Sequence, residues 1–479
     1  MKSKLSFRLL VFCALLTLTA CQTGQAPNPE PAESSPEATE QEAPAPEPEP
    51  AADPSPAQRE QDWIEDIECL RKGLKEGHMD PFYVCPEEEL DFMIDRLIER
   101  VGQLSDNDIA FEILKVVAAM GDVHTFAAYY EPLYERVFPV YAAYLGDKLY
   151  LVNYSGGYEQ FAPYLLHEIV SVNGIDIAYI NQKAAEITSP YNSWRAREDF
   201  NSQYFLPAFY DWAGCDYKEG YTFQILNDNQ EVESVEVPAV PFEERAYDKG
   251  RKYPENWDQL LYRRRGDFEA YVEGENGGLV YMRLASLTSA GFLGRLVRDT
   301  AKLLEEHPEC GKLVVDLRGN EGGNLAAVYP LPENVASLRT DHTYVLIDGG
   351  VASASMTLLG FFKNELDAVL VGEPTAQFSS FFHLSSSLNP PLVLPHSQMR
   401  INLSDAWWNW DTFKQDDYQD VIDPAWGWDD WEPITEEHYD EDGRLYEWEY
   451  GVLPDVYVHQ DIEDVRQGKD SVLEWVLAQ

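Results

Sequence analysis

Tyr344-Val345-Leu346-Ile347-Asp348-Gly349-Gly350, followed closely by Ser353-Ala354-Ser355-Met356-Thr357-Leu358-Leu359, decides how this chain is read. An apolar, β-prone run ends in Asp-Gly-Gly, and a serine then opens a helix-like run, so the stretch predicts strand, turn and helix. A serine at such a junction sits among backbone N–H groups that lack an intrahelical partner, at the positive end of the helix dipole. An alkoxide or oxyanion is stabilised there. The same position also suits an N-cap serine, whose side chain merely satisfies one of those N–H groups.

Working outward, strand and helix signals alternate from about Gly278 onward. Strands are expected at 279–284, 312–317, 343–347 and 368–371, with helices at 293–306, after the Gly-rich turn Arg318-Gly319-Asn320-Glu321-Gly322-Gly323-Asn324, and from Ser353. Such alternation implies α/β architecture with largely parallel strands. Toward the N-terminus the period is helical. Trp63, Ile64, Ile67, Leu70 and Leu74 share one face, and Leu90, Met93, Ile94, Leu97, Ile98 and Val101 stripe a second helix. Ile109, Ile113, Leu114, Val117 and Met120 form a third, capped by Ser105 or Asp106 and closed by Gly121. Between these parts, residues 129–250 read mainly as short strands, with Asn173-Gly174 and Gly156-Gly157 as turn signals.

The 479 residues exceed one ordinary domain, and 44% hydrophobic with 13% aromatic residues supplies a substantial core. A formal charge of −48, from 36 basic against 84 acidic side chains, argues against nucleic-acid binding through phosphates. It also disfavours docking on anionic lipid through protein charge.

The first residues read as a processing segment. Lys2, Lys4 and Arg8 precede a short apolar run that ends in Leu18-Thr19-Ala20-Cys21, too short for a lasting membrane span. That ending resembles a bacterial lipoprotein signal, which implies cleavage after residue 20 and a lipid on Cys21. The stretch to residue 58 is rich in Pro, Ala and Glu, holds no basic residue and offers almost nothing to bury. It is expected to be a disordered tether, residues 21–58. Cys69, Cys85, Cys215 and Cys310 remain in the globular part; export permits disulfides, and the spacing does not fix their pairing. Neither a Cys-x-x-Cys nor a His-x-x-x-His pair occurs, so no metal or other cofactor is expected.

Four further segments carry a resemblance. Asp316-Leu317-Arg318-Gly319-Asn320-Glu321-Gly322-Gly323 resembles the strand-and-glycine signature of the tail-specific (C-terminal processing) serine peptidases, a family that includes the tricorn core protease and retinoid-binding relatives. Ala352-Ser353-Ala354-Ser355 with Val371-Gly372-Glu373-Pro374-Thr375 resembles its nucleophile segment and the Gly-Glu-Pro-Thr that follows. Leu453-Pro454-Asp455-Val456 and Gly468-Lys469-Asp470 resemble its closing strand and helix. Gly121-Asp122-Val123-His124-Thr125 resembles the Gly-Asp-x-His-Thr of its lysine-free, tricorn-like branch.

The resemblance covers roughly residues 60–128 and 270–479. It implies a crotonase-like α/β core at 251–479, a helical subdomain at 59–128 and a β-rich module at 129–250. Leu166-His167-Glu168-Ile169-Val170-Ser171-Val172-Asn173-Gly174-Ile175 in that module is similar to the end of a PDZ-like peptide-binding unit, without its preceding elements. The resemblance also implies Ser353 as nucleophile of an acyl-enzyme, with the N–H of Ala354 and of Gly322 or Gly323 as oxyanion hole.

The chain departs from the better-known Ser–Lys branch. Phe378 stands where that branch has its lysine, and Met356 replaces the glutamate after the nucleophile motif. A neutral imidazole can act as the base instead, and His124 is the candidate. Asp122, Glu373, Asp405 and Asp411 are open alternatives for an orienting third residue. His precedes Ser and position 351 is Val, which argues against an α/β-hydrolase elbow. The seven tryptophans from Trp407 to Trp448 lie among many acids and read as core packing with a solvated face. Asp442-Gly443 reads as a hairpin turn, because Asp440-Glu441-Asp442-Gly443 lacks calcium-loop spacing.

The sequence thus supports an exported, membrane-anchored serine endopeptidase acting on peptides or protein tails. The alternatives are a non-catalytic peptide-binding lipoprotein on the same fold and an esterase using the same site.

Overall fold

The computed structural model describes residues 55–127, 130–189, 193–200, 205–215, 220–242, 250–257, 268–273, 278–287, 289–328, 335–377, 381–385, 389–408 and 451–479. The signal segment with Cys21, most of the tether, Phe378, Asp411, Asp440 to Gly443 and all but the first two of the seven tryptophans lie outside the described residues.

The protein is a mixed α/β structure organised around a six-stranded sheet. We label its strands β1 (Phe268–Glu273), β2 (Leu279–Leu284), β3 (Lys312–Asp316), β4 (His342–Ile347), β5 (Val369–Gly372) and β6 (Val456–Tyr457), which lie side by side in that order. β1 and β2 run antiparallel; every later pair is parallel. The inner strands β2 to β5 are largely buried on both faces, which explains their apolar runs. Val280, Met282, Leu313, Val315, Val345, Ile347 and Leu370 face one side, against the helices Ala290–Glu306 and Ala354–Leu366. Leu279, Tyr281, Val314, Tyr344, Leu346 and Val371 face the other, against Val472, Leu473 and Val476 of the C-terminal helix Ser471–Leu477. The helix expected after the Gly-rich turn is a single 3₁₀ turn among the described residues, Leu325–Ala327.

A second core is built on α1 (Pro56–Gly77), α2 (Glu87–Arg100) and α3 (Asp106–Ala118). Ser105, not Asp106, caps α3, in a reciprocal capping box with Asp108. This core does not stop at the expected boundary at 128/129. Leu70, Ile94 and Ile113 share one apolar cluster with Phe138, Phe161, Phe209, Tyr221 and Phe223, and with Leu394 and Ile401 from much later in the chain. The strand of Phe126–Ala127 pairs with Arg400–Asn402.

Residues 129–250 hold more helix than the strand signals suggested: Ile177–Glu186, Ser193–Asp199 and Pro207–Trp212. Ile177, Ile180 and Ala184 are buried along one face of the first, and Asp176 accepts from the Ala178 N–H as its cap. The Asn173-Gly174 turn is as expected. Both residues have positive φ (50° and 80°), and the turn joins Val172 to its partner Ile175. No helix among the described residues is long and apolar enough to cross a membrane. Cys69, Cys85, Cys215 and Cys310 are all free thiols.

Candidate active site

Ser353 stands at the start of the helix Ala354–Leu366 but does not cap it. Its φ of 56° and ψ of −130° lie outside the regions an L-residue ordinarily visits, and its side chain makes no capping hydrogen bond. The sharp turn projects the hydroxyl away from the helix end. It meets the imidazole of His124 instead, with Oγ 2.9 Å from Nε2.

The residues before Ser353 are pinned from several sides. Val351 N–H donates to the Asp348 carbonyl, Ala352 N–H to the Asn320 carbonyl, and Ala376 N–H to the Val351 carbonyl. Gly322 has φ +90°, and a Cβ there would lie 2.7 Å from Ser353 Cβ, 2.7 Å from the Ala352 carbonyl oxygen and 2.8 Å from the Ala354 nitrogen. Only glycine allows this approach.

The amides around the hydroxyl divide into engaged and available ones. Gly322 N–H donates to Asn320 Oδ1 at 3.0 Å, so it is engaged within its own turn. Among the described residues, the N–H groups of Gly323 and Ala354 have no acceptor. Gly323 is itself held with φ +132° against the Leu287 carbonyl, where a Cβ would come within 2.5 Å.

His124 is placed by the backbone after α3. Asp122 is buried, and its Oδ1 accepts the His124 N–H at 2.7 Å, the Thr125 N–H at 2.8 Å and the Ser404 hydroxyl at 2.8 Å. Its Oδ2 accepts from His78 Nε2 at 2.9 Å, while His78 Nδ1 accepts the Asp80 N–H at 3.1 Å. That pairing makes His78 Nε2 the donor to Asp122. Burial disfavours the Asp122 carboxylate, but the His78 hydrogen bond and the His78 and His124 charges outweigh it and hold its pKa down at about 2. Asp122 therefore fixes the turn that carries His124 and does not touch the imidazole.

Burial also pulls the His124 pKa down to about 4, against the opposing pull of the Asp122 charge. The ring is neutral at pH 7 and its Nε2 can accept a proton. Phe381 stacks on it at 5.6 Å between ring centroids. His124 Nδ1 is buried and makes no full hydrogen bond among the described residues, although the Phe382 backbone lies close enough to favour a proton there.

The other carboxylates face elsewhere. Asp405 binds the Ser385 N–H and hydroxyl and Asn389 Nδ2. Glu373 follows β5 and lines a cavity with Asp348, Arg197, Tyr144 and His459. Burial and the Asp348 charge push its pKa up to about 8. Neither hydrogen-bonds His124, and Asp411 lies outside the described residues. Among the described residues no cluster of His, Cys, Asp and Glu could hold a metal ion.

Sequence reasoning missed three contributors. His78 gave no signal beyond a lone His after a helix, and His383 lies close enough for its charge to lower the His124 pKa. Arg195 lies 71 residues beyond His124 in a stretch read as strands, yet its guanidinium pairs with Glu321 of the Gly-rich turn at 2.9 Å.

No protein-family model matches the chain, and no curated protein sequence matches it. Solved structures do. Mature CPAF complexed with lactacystin is 11% identical, with a TM-score of 0.52 over 88% of this chain and 97% of that one. Mature CPAF alone is 12% identical, with a TM-score of 0.50 over 88% and 96%. The photosystem II D1 C-terminal processing protease, at 14% identity, gives 0.36 over 86% and 98%. At such identities the likeness is one of fold: this chain has the mixed α/β fold of mature CPAF over most of its length.

Proposed function

We propose that the protein is a serine endopeptidase, exported and lipid-anchored through Cys21, that cleaves peptides or protein tails by a Ser–His mechanism. The observation that carries this reading is the 2.9 Å contact between His124 Nε2 and the hydroxyl of a conformationally strained Ser353. Ser353 Oγ attacks the peptide carbonyl as its proton passes to Nε2, giving a tetrahedral oxyanion. The oxyanion is received by the N–H groups of Ala354 and Gly323, which have no acceptor among the described residues; Gly322 serves by its lack of a Cβ. The intermediate collapses as His124 returns the proton to the leaving amine, and water releases the acyl group by the same path in reverse. We read the largely parallel sheet with its flanking helices as a crotonase-like core that presents this turn.

The test is chemical. A serine-directed phosphonate should label the wild type and fail to label Ser353→Ala, and Ser353→Ala and His124→Ala should each lose peptide cleavage while remaining folded. Full cleavage by either variant sinks the proposal. A second reading, a peptide-binding lipoprotein without turnover, is favoured by one observation: no carboxylate reaches His124 Nδ1 among the described residues. Peptide binding without labelling in the wild type selects it, and peptide turnover excludes it. Ester hydrolysis without peptide hydrolysis would select the esterase. The anchor is tested separately: Cys21→Ser should move the protein from the membrane to the soluble fraction and abolish palmitate incorporation.

A further inference from the structure

Both loops around Ser353 touch one short segment from the other core. The helix Ser193–Asp199 lies where the Trp194 carbonyl and the Arg195 amide pack directly on Gly349, so closely that a Cβ at Gly349 would run into them. From that fixed backbone Arg195 reaches two ways. Its Nε donates to Asp199 Oδ2 at 2.9 Å, and its Nη2 to Glu321 Oε1 at 2.9 Å. Arg195 and Asp199 are largely shielded, with 14% and 9% of their side chains exposed, while Glu321 is 68% exposed. The arginine is thus held from its own side, and through Glu321 it adds a side-chain tie to a turn whose backbone is already packed on Leu287 and Ser353. Trp194 adds an edge-on contact with Tyr457 of β6, and Arg197 lies over the Trp194 ring, so the segment is fastened along its length.

We infer that Arg195 is a positioning residue, which through Glu321 sets the Gly-rich turn so that the Gly323 N–H points where the oxyanion forms. This rests on the Ser–His reading above. An exposed ion pair adds little to overall stability, so its effect is on geometry and not on folding. A donor displaced by a fraction of an ångström loses transition-state stabilisation with little effect on substrate binding.

The experiment uses the full chain with Glu321→Gln, a change at an exposed side chain. Two readouts are taken: amide hydrogen exchange over 318–324, and kcat and KM on a peptide. The expected result is faster exchange in the variant, a kcat lower by about ten-fold, KM within about two-fold and an unchanged melting temperature. Added salt should lower the wild-type kcat toward the variant's and leave the variant's nearly flat. Unchanged exchange overturns the inference, and so does faster exchange with unchanged kcat. If the wild type shows neither labelling nor turnover, the peptidase reading falls, and the exchange data alone decide whether Arg195 holds the turn.

Discussion

His124 Nε2 stands 2.9 Å from Ser353 Oγ although 229 residues separate them in sequence. His124 follows α3, which packs in the first core, and Ser353 precedes the helix Ala354–Leu366, which packs against the six-stranded sheet. The site therefore lies at the seam of two cores, and whatever fixes one against the other also fixes the reacting pair. Asp122 does this on one side, by tying the His124 turn to Ser404 and His78. Gly322 does it on the other, by letting the Gly-rich turn rest directly on Ser353.

The acidic limb of activity should lie unusually low. Burial brings the His124 pKa down to about 4, so the imidazole stays neutral, and able to take the Ser353 proton, from neutral pH to well below 6. We expect kcat/KM to fall to half near pH 4, where an ordinary histidine would give about 6.5. A pH profile of a stable peptide substrate checks this. Half-maximal activity near 6.5 would mean that the imidazole is not the desolvated base described here.

The conformation of Ser353 should cost stability. A non-glycine residue at φ 56° and ψ −130° carries on the order of 1–3 kcal/mol of strain. Ser353→Gly relieves it, less about 0.5–1 kcal/mol for the added freedom of the unfolded chain. We expect Ser353→Gly to be more stable than the wild type by about 1 kcal/mol, and Ser353→Ala, which keeps a Cβ, to show no such gain. Both should be inactive. Denaturant titrations compare the three proteins, and equal stability of the glycine and alanine variants would exclude the strain.

The middle of the sheet was legible in the sequence because β2 to β5 are apolar runs largely buried on both faces, and they fall within a residue or two of where those runs lie; the edge strand β1, only half-buried, gave no such run. The helix Ile177–Glu186 was obscured because it follows the strand signals around Asn173-Gly174 with a two-residue strand between, leaving little polar punctuation. Ser353 and His124 stood out through their motifs, and their contact is a tertiary fact that no local pattern carries. The choice among Asp122, Glu373 and Asp405 was not legible for the same reason. Each is an acid beside a turn, and only its partners distinguish it: amides and His78, a cavity shared with Asp348 and Arg197, or Ser385 and Asn389. The continuity of the first core across residue 128 depends on Leu394 and Ile401 returning to it, which sequence order conceals.

Arg318 should be a major stability determinant although it makes no chemistry of its own. It is 4% exposed and joins the end of β3 to the start of the C-terminal helix. Nε and Nη2 bind Asp316 at 3.0 and 2.6 Å, and Nη1 and Nη2 bind Asp470 at 3.0 and 2.6 Å. Arg318→Met removes the shared cation and leaves both buried carboxylates undercompensated; among the described residues Asp316 keeps Arg283 and Tyr281 as side-chain partners. We expect a loss of about 3–5 kcal/mol in denaturant unfolding, typical of breaking a buried pair from one side. A loss below about 1 kcal/mol would show that the site admits water or relaxes freely.

Glu373 should make the folded protein lose stability as pH rises toward 8. Burial, reinforced by the charge of Asp348 at the end of the neighbouring strand, lifts its pKa from 4.5 to about 8. The folded state thus keeps a proton that the unfolded chain gives up above pH 4.5. The stabilisation is fully present below 4.5, declines through the interval and is lost once pH passes 8. Glu373→Gln mimics the protonated form and removes this contribution, while other carboxylates keep theirs, so the difference between the two proteins isolates the one group. We expect similar stability near pH 4.5 and an advantage for Glu373→Gln at pH 8 on the order of a few kcal/mol. Urea unfolding of both proteins across that range is the measurement. Parallel curves would mean that Glu373 is ionised in the folded state, with Arg197 close enough to compensate it.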